Sequence, residues 1–536
     1  MAGAIIQKSE ADIEQTQKFQ RGPRFWFIIA GLSVTGLLAA LEHTVVTTSA
    51  PMIVTELHLG PNFIWITNAF FTASAVSQPT VGQLCNILGR RWVYITIVAS
   101  FTLGSGICGG ARNGLGSGGI ILLNNVIVSD LVLLRQRGYY VAILLAIFGI
   151  GTALGPFIGG AIVDSTTWRW VFYINLPIGV VSMVIMFLFL HVKYDKELSL
   201  LDKVKRLDYV GNAILVGSGI AILYALTYAG TVELWHSPRT LAPIIIGFFG
   251  FLIFFGYEAS RIPIEPVTPI RLFAHRTSII VLVNTFLNSN HIFLSVALYS
   301  PSRTGYSLIP QSVAGIPGAA LAAIAISKWG KFVPVHFAGF ALQSLGFGLL
   351  SLLSESTSIP EWAVFQIIAA LDIGIIIDSL LPAFQAPVDE HDQAAATSAW
   401  SFMRSFGSIW GVAIPTAVFN NRISQLLNSI SDARARDLIA RGNAYENASA
   451  AFVKQFAPQV QLEIRGVYRE ALQRVFLVGL AFSGLATLLT LAEQEVPLRE
   501  QLDTEYGLEE KDQPGRSGQA RTDIVQKANH DGKEGT

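Results

Sequence analysis

Charge is what this sequence has least of. Charged residues fill 14% of its 536 positions, where soluble domains carry about 25%. That excludes a string of soluble domains, which the length alone would allow. Charge of one sign is also lacking, because 37 basic and 37 acidic residues cancel. No basic field exists to release counterions from a nucleic acid, so no nucleic-acid partner is expected. Cysteine is nearly absent. Cys85 and Cys108 alone can build neither a disulfide framework nor a thiolate zinc centre. The chain has no GxxxxGK[ST] loop, no metal-ligand cluster and no nucleophile motif. An enzyme is therefore not expected, and ATP is excluded as an energy source through the usual site. Residues 1–20 are polar, with Glu10, Asp12 and Glu14, so no cleavable leader is expected.

Apolar residues dominate instead, at 51%, and the mean hydropathy is +0.49. A bilayer-crossing helix needs about 20 apolar residues. Such runs fall at 25–50, 63–83, 92–110, 114–132, 139–162 and 169–190, then at 209–229 and 242–257. Six more fall at 278–299, 307–327, 335–353, 362–381, 395–418 and 475–492. The fold class expected is an all-α integral membrane protein with 14 spans. Lys and Arg crowd alternate short loops, as in Arg90, Arg91, Lys203, Lys205, Arg206, Arg271, Lys328 and Lys331. The positive-inside rule makes those loops cytoplasmic, together with both termini. The segment 419–474 is then an outside loop, with helical patterning over Ala433–Arg441 and a sequon at Asn447 that glycosylation could reach there.

Three motifs carry chemistry. In GIGTALGPFIGG, Gly151, Gly155 and Gly159 recur every four residues and make a bare helix stripe that a neighbour can approach closely, with Gly160 adjoining. Pro156 should kink that helix. In GQLCNILGRR, Gly82 and Gly89 allow a tight turn, and Arg90 and Arg91 can bond carbonyls of a facing helix end. In LEHTVVTTSAP, Glu42 shares a face with Val45, Val46 and Ser49. A carboxylate inside a span is costly and usually functional, which makes Glu42 a proton-carrier candidate. His43 points about a quarter-turn away on the helix and suits either function or a neutral hydrogen bond to a neighbouring helix.

These motifs, in this order, resemble the major facilitator superfamily, and within it the fourteen-helix drug:proton antiporters. TTWRWVFYINLPIG (166–179), LDYVGN (207–212), LPAFQAP (381–387) and WSFMRSFGSIWGVAIP (400–415) extend the likeness from Phe25 to Leu491. Fungal efflux pumps for toxins, drugs and secondary metabolites look most similar. The resemblance implies two six-helix bundles, 25–190 and 278–492, joined by a linker with two extra spans over 191–277. Tails at 1–24 and 493–536 flank them, the second disordered. It implies a proton-driven antiporter of small amphipathic molecules, working by alternating access in the plasma membrane, with the vacuolar membrane as the alternative. The partners implied are the lipid bilayer, a small-molecule substrate and protons; no cofactor is expected, and the chain reads as a monomer. Asn284, Asp372 and Arg404 become candidates for the substrate and proton cavity, Asn284 as a neutral lining group and Arg404 as a cation needing a carboxylate or carbonyl partner. Asp378 suits either a buried charge or a membrane-edge residue. Gly407, Gly411 and Pro415 echo the glycine stripe in the second half.

Two departures from the family stand out. Asn86 and Ile87 occupy positions where the family has Asp and a basic residue in its cytoplasmic gating loop. Arg91 to Asp130 is also short for two spans and a turn, which need about 40 residues before any loop. The family's R-x-x-Q-G-x-G motif survives only as Gly114-Leu115-Gly116. A transport-defective remnant or sensor is therefore an alternative, as is a vacuolar basic amino acid or siderophore transporter.

Overall fold

The computed structural model describes residues 22–498, except 57–64, 111–133, 192–201, 203–204, 230–232, 234, 261, 290–300, 355–356, 390–391, 441–443 and 445–449. Among the described residues the architecture is all-helical, apart from one isolated bridge between Ala229 and Glu233. The first half holds α1 (Pro23–Glu56), α2 (Trp65–Leu88), α3 (Arg90–Gly110), α4 (Leu134–Ser165), α5 (Trp170–Tyr173) and α6 (Asn175–Phe189). The linker contributes α7 (Tyr209–Tyr228) and α8 (Pro238–Glu258). The second half holds α9 (Arg276–Asn288), α10 (Pro301–Trp329), α11 (Val333–Ser351), α12 (Ile359–Gln385), α13 (Gln393–Leu426), α14 (Ala433–Ile439), α15 (Ala450–Val453) and α16 (Pro458–Thr490). Each expected span except 114–132 overlaps these helices, 169–190 being divided between α5 and α6; residues 290–299 of the span 278–299, all of 114–132 and the glycosylation candidate Asn447 lie outside the described residues.

Helix is forced here because lipid offers no partner for a backbone N–H or C=O. Seven described helices are long and apolar enough to cross a membrane. Caps mark their ends: Asp208 accepts from the Gly211 amide at the start of α7, and Ser358 forms a capping box with Glu361 at the start of α12. Each half has its own core, one around Phe25, Leu32, Tyr94 and Tyr140, the other around Phe332, Phe340, Phe384 and Trp400. Outer faces are equally apolar. On α8, Ile246, Phe249 and Leu252 are exposed, as a lipid-facing helix requires.

The expected loop 419–474 is entered from both sides by helices that continue two spans, to Leu426 and from Pro458. α13 has 34 residues and α16 has 33, each about 50 Å long against a hydrocarbon core of about 30 Å. Their surplus ends, with α14 and α15, bury Phe419, Ile439, Phe452 and Ile464 in a separate small core. The Tyr468 hydroxyl donates to the Ala444 carbonyl at 2.6 Å and pins that cap.

The two halves meet along a pair of seams that mirror each other. α2 packs on α13, and α4 packs on α10. In the expected span count, where 114–132 is a span outside the described residues, both seams pair a second span with a fifth. That is the two-fold relation expected of duplicated halves. Smaller features repeat as well. Gly89 (φ 84°) turns the chain between α2 and α3, and Gly330 (φ 66°) turns it between α10 and α11. Arg24 at the start of α1 donates to the Phe189 and His191 carbonyls at 3.0 and 2.9 Å. Arg276 at the start of α9 donates to the Ala492 carbonyl at 2.6 Å. Each half is thus closed by an arginine reaching carbonyls at or just past the end of its last helix, where a cation is favoured.

Candidate functional site

The end of the bundle carrying Arg90, Arg206 and Arg271 is here called the basic end. There α2 clasps both the linker and the second half. The Gln83 amide donates to the Glu265 carbonyl at 2.6 Å. The Asn212 amide donates to Gln83 Oε1 at 2.8 Å, and Thr80 donates to Asn212 Oδ1. Across the seam, Gln78 donates to Ser405 Oγ at 3.0 Å. Gly82 lies against Ser398 of α13 so closely that a Cβ on it would overlap the serine hydroxyl.

This corrects the reading of the loop motif. Gly82 is not a turn residue: α2 runs on to Leu88, and Gly89 alone makes the turn. Gly82 is instead the point where the halves touch. Arg90 is buried and donates to the Cys85 carbonyl of its own preceding helix at 2.9 Å. Arg91 takes the facing role, donating to the Phe187 carbonyl of α6 at 2.8 Å. The Asn86 side chain lies outside the described residues.

The glycine stripe lies on α4. Gly151, Gly155 and Gly159 are buried, and α4 packs on α1 as well as α10. A Cβ on Gly151 would stand 2.8 Å from the Ala40 Cβ and 3.0 Å from Leu37 Cδ1. Gly160 does not share this tightness, because a Cβ there would meet nothing within 4 Å. Pro156 lies inside α4, with its side chain outside the described residues. The second half repeats the contact: a Cβ on Gly407 of α13 would stand 2.8 Å from the Ser289 Cβ and 3.0 Å from the Phe286 carbonyl oxygen of α9. In each half a glycine, on α4 or on α13, meets that half's first helix.

Glu42 and His43 lie within α1, and their side chains are outside the described residues. Asp372 and Asp378 are both fully buried in α12. The Gln343 side chain of α11 reaches Asp372. Neither carboxylate oxygen of Asp378 has a hydrogen-bond partner among the described residues. Asn284 is placed among polar groups of the second half. It is fully buried and its amide donates to Glu493 Oε1 at 3.0 Å, while His336 Nδ1 lies 2.7 Å from Glu493 Oε2. Arg404 also departs from expectation. No carboxylate or carbonyl pairs with it among the described residues; its guanidinium lies 5.3 Å from the Trp400 ring centroid, a cation–π contact.

Comparison with known proteins fits this geometry. The sequence model of the Major Facilitator Superfamily matches residues 32–412. The chain belongs to the major facilitator superfamily. The MFS-type transporter TwmF of Talaromyces wortmannii is 54% identical over 507 residues, 90% of this chain and 92% of that one. The MFS efflux transporter aclA of Aspergillus oryzae is 41% identical over 510 residues, 91% and 92% of the two chains. Among solved structures, the proton:xylose symporter XylE superposes with a TM-score of 0.54 at 13% identity, covering 88% of this chain and 97% of that one. That last likeness speaks to the fold alone. The protein is therefore a multi-pass membrane transporter of this superfamily.

Sequence reasoning missed three parts of this transporter. The first is the Asn284–Glu493–His336 cluster. Its first-half counterpart joins Thr35 of α1, Tyr94 of α3 and Ser182 of α6 by hydroxyl hydrogen bonds, where the second-half cluster draws on α9, α11 and the segment after α16. The second is the grip on α12. A Cβ on Gly374 would overlap the Gly315 carbonyl of α10, and one on Gly346 of α11 would stand 2.7 Å from the Ala369 Cα. Gly339 and Gly346, two turns apart on one face, were the available signal. The third is the strap after α16. Residues 493–498, expected in a disordered tail, are held: Glu495 accepts from the Phe332 amide at 2.7 Å, and Leu498 is buried in the second-half core.

Proposed function

We propose that this transporter is a proton-coupled exporter of small amphipathic organic molecules, cycling by alternating access in the plasma membrane. The basic end is cytoplasmic by the positive-inside rule. The observation that carries the reading is Asp378. A carboxyl buried in a membrane helix with no hydrogen-bond partner is costly as an anion and is retained for function. It suits a group that takes up and gives back the transported proton. The seam supports the cycle: the halves touch at Gly82–Ser398 and Gln78–Ser405 at the basic end, contacts that can be made and broken. Protonation shifts the balance of two facing states only by its differential affinity for them. The half-buried Arg404, free of any ion pair among the described residues, suits an acidic group on a cargo or a transient carboxylate partner.

Two results are expected. In everted vesicles, transport of a fluorescent amphipathic dye should follow an imposed pH gradient and persist without ATP. Transport that requires ATP hydrolysis and ignores the gradient would sink the proposal. Asp378→Asn should leave the protein folded, since no hydrogen bond among the described residues is lost, yet remove the response to the gradient while passive dye equilibration continues. Gradient-driven transport at the parental rate in that variant would remove Asp378 from the proton path.

A further inference from the structure

We infer that the space enclosed beneath the linker helices is a binding site for an uncharged hydrocarbon body, an alkyl chain or an aryl ring system, that enters sideways from the bilayer leaflet at the basic end. A cavity of about 360 Å³ lies there, within the range of small-ligand sites. Three parts of the fold meet around it. α2 supplies Pro79, the linker supplies Leu215 and Phe251, and the second half supplies Leu282 and Phe402. Aromatic rings form the inner wall. The Phe251 ring centroid is 6.1 Å from that of Phe402 and 5.7 Å from that of Phe406, and Phe402 and Phe406 stack at 5.6 Å.

The lining selects the ligand. It is almost wholly carbon, and no Asp, Glu, Lys or Arg belongs to it. Ordered water needs two to four polar partners, and apolar cavities of this kind accept hydrocarbon. A charged head would find no partner inside, so only an uncharged part of a molecule can be seated.

The route in is also defined. Phe248, Leu252 and Phe255 border the cavity and are exposed, Leu252 at 67%. All three lie on α8, whose outer face is bare and apolar, so the mouth opens toward lipid. Toward the basic end the space is floored by the chain after α8. There Glu258 accepts from the Val267 and Thr268 amides at 3.2 and 3.3 Å, Gln83 bonds the Glu265 carbonyl, and Arg271 pairs with Asp392. Because the walls come from both halves, relative motion of the halves changes the site. An occupant that fits one arrangement better must bias it.

The test reads labelling rather than transport, so its outcome is separate from that of the proton-coupled reading. The full-length protein in phosphatidylcholine nanodiscs is photolabelled with either of two probes, and the label is mapped by mass spectrometry. One is a phosphatidylcholine with a diazirine in its acyl chain. The other is a free trifluoromethyl-phenyl-diazirine. Label is expected on residues 399–406, well above the sealed core around Phe340. Two variants should each reduce it. Ala399→Phe fills the interior, and Leu252→Trp blocks the mouth from an exposed position that leaves the fold intact. The reduction should be about tenfold, equivalent to roughly 1.4 kcal/mol of apolar burial denied. Label on the outward residues Ile246 and Ile253 should stay unchanged. Label from the phospholipid probe identifies a lipid chain as occupant; label from the free probe alone identifies a detached apolar solute. No label above the Phe340 reference with either probe overturns the site, as does label that persists in Leu252→Trp.

Discussion

Gly151→Leu should abolish transport while leaving the protein in the membrane at parental abundance. The Cβ alone would stand 2.8 Å from the Ala40 Cβ and 3.2 Å from the Leu37 carbonyl oxygen. Both belong to the rigid body of α1, so neither can swing aside as a long side chain would. The helices must separate instead. Overpacking of this kind costs about 1–3 kcal/mol, and a branched side chain extends the overlap beyond its first carbon. A two-state rocking equilibrium moves about tenfold for each 1.4 kcal/mol, so this strain is enough to trap one facing state without unfolding the bundle. Gly160→Leu is the control on the same helix. A Cβ there meets nothing within 4 Å, and replacing glycine in a helix interior gains up to about 1 kcal/mol of helix propensity. Dye efflux per molecule at the cell surface checks the pair. Equal activity in the two variants would mean that the α4–α1 contact has no part in the cycle.

Glu493→Ala should cost about 1–3 kcal/mol of stability for each buried polar group it leaves without its partner. Glu493 and His336 are both fully buried, and Asn284 donates to the second carboxylate oxygen. Removing the carboxylate orphans an imidazole nitrogen and an amide at once. The damage should also spread. The strap carries Glu495, which caps the start of α11, and Leu498, which fills the core. The equivalent change in the first half, Thr35→Ala, removes only neutral hydroxyl hydrogen bonds, worth about 1 kcal/mol each. Thermal unfolding of the purified variants should therefore rank Glu493→Ala far below Thr35→Ala. Replacing the hydrogen-bonded pair by His336→Phe with Glu493→Leu should recover much of the loss, since matched apolar groups need no partners. A Glu493→Ala melting point level with that of Thr35→Ala would show that the strap contributes little.

The sequence by itself determined the class of molecule and the course of most spans. Apolar runs of bilayer length admit only one backbone solution, since lipid satisfies no amide, and α1, α7, α12 and α13 lie where those runs are. The family, too, was legible, because its motifs are local. A turn glycine such as Gly89 or a helix stripe such as Gly151–Gly155–Gly159 depends on neighbours in sequence and leaves a periodic trace. Part of the internal repeat was equally open to reading: a glycine followed by a cation, Gly89-Arg90 and Gly330-Lys331, stands at the turn into the third helix of each half. What tertiary structure alone decided is how distant residues are paired. Gly82 read as a turn residue until Ser398, more than three hundred positions away, was found against it. Asn284 read as a cavity group because its partner Glu493 lay in a segment polar enough to pass for tail. Arg404 took an aromatic face where a carboxylate was expected. In each case the side chain's energy is set by its partner, and a buried polar group is worth keeping or losing according to what faces it. Spacing along the chain cannot carry that information, because the partner arrives from another helix only when the bundle closes.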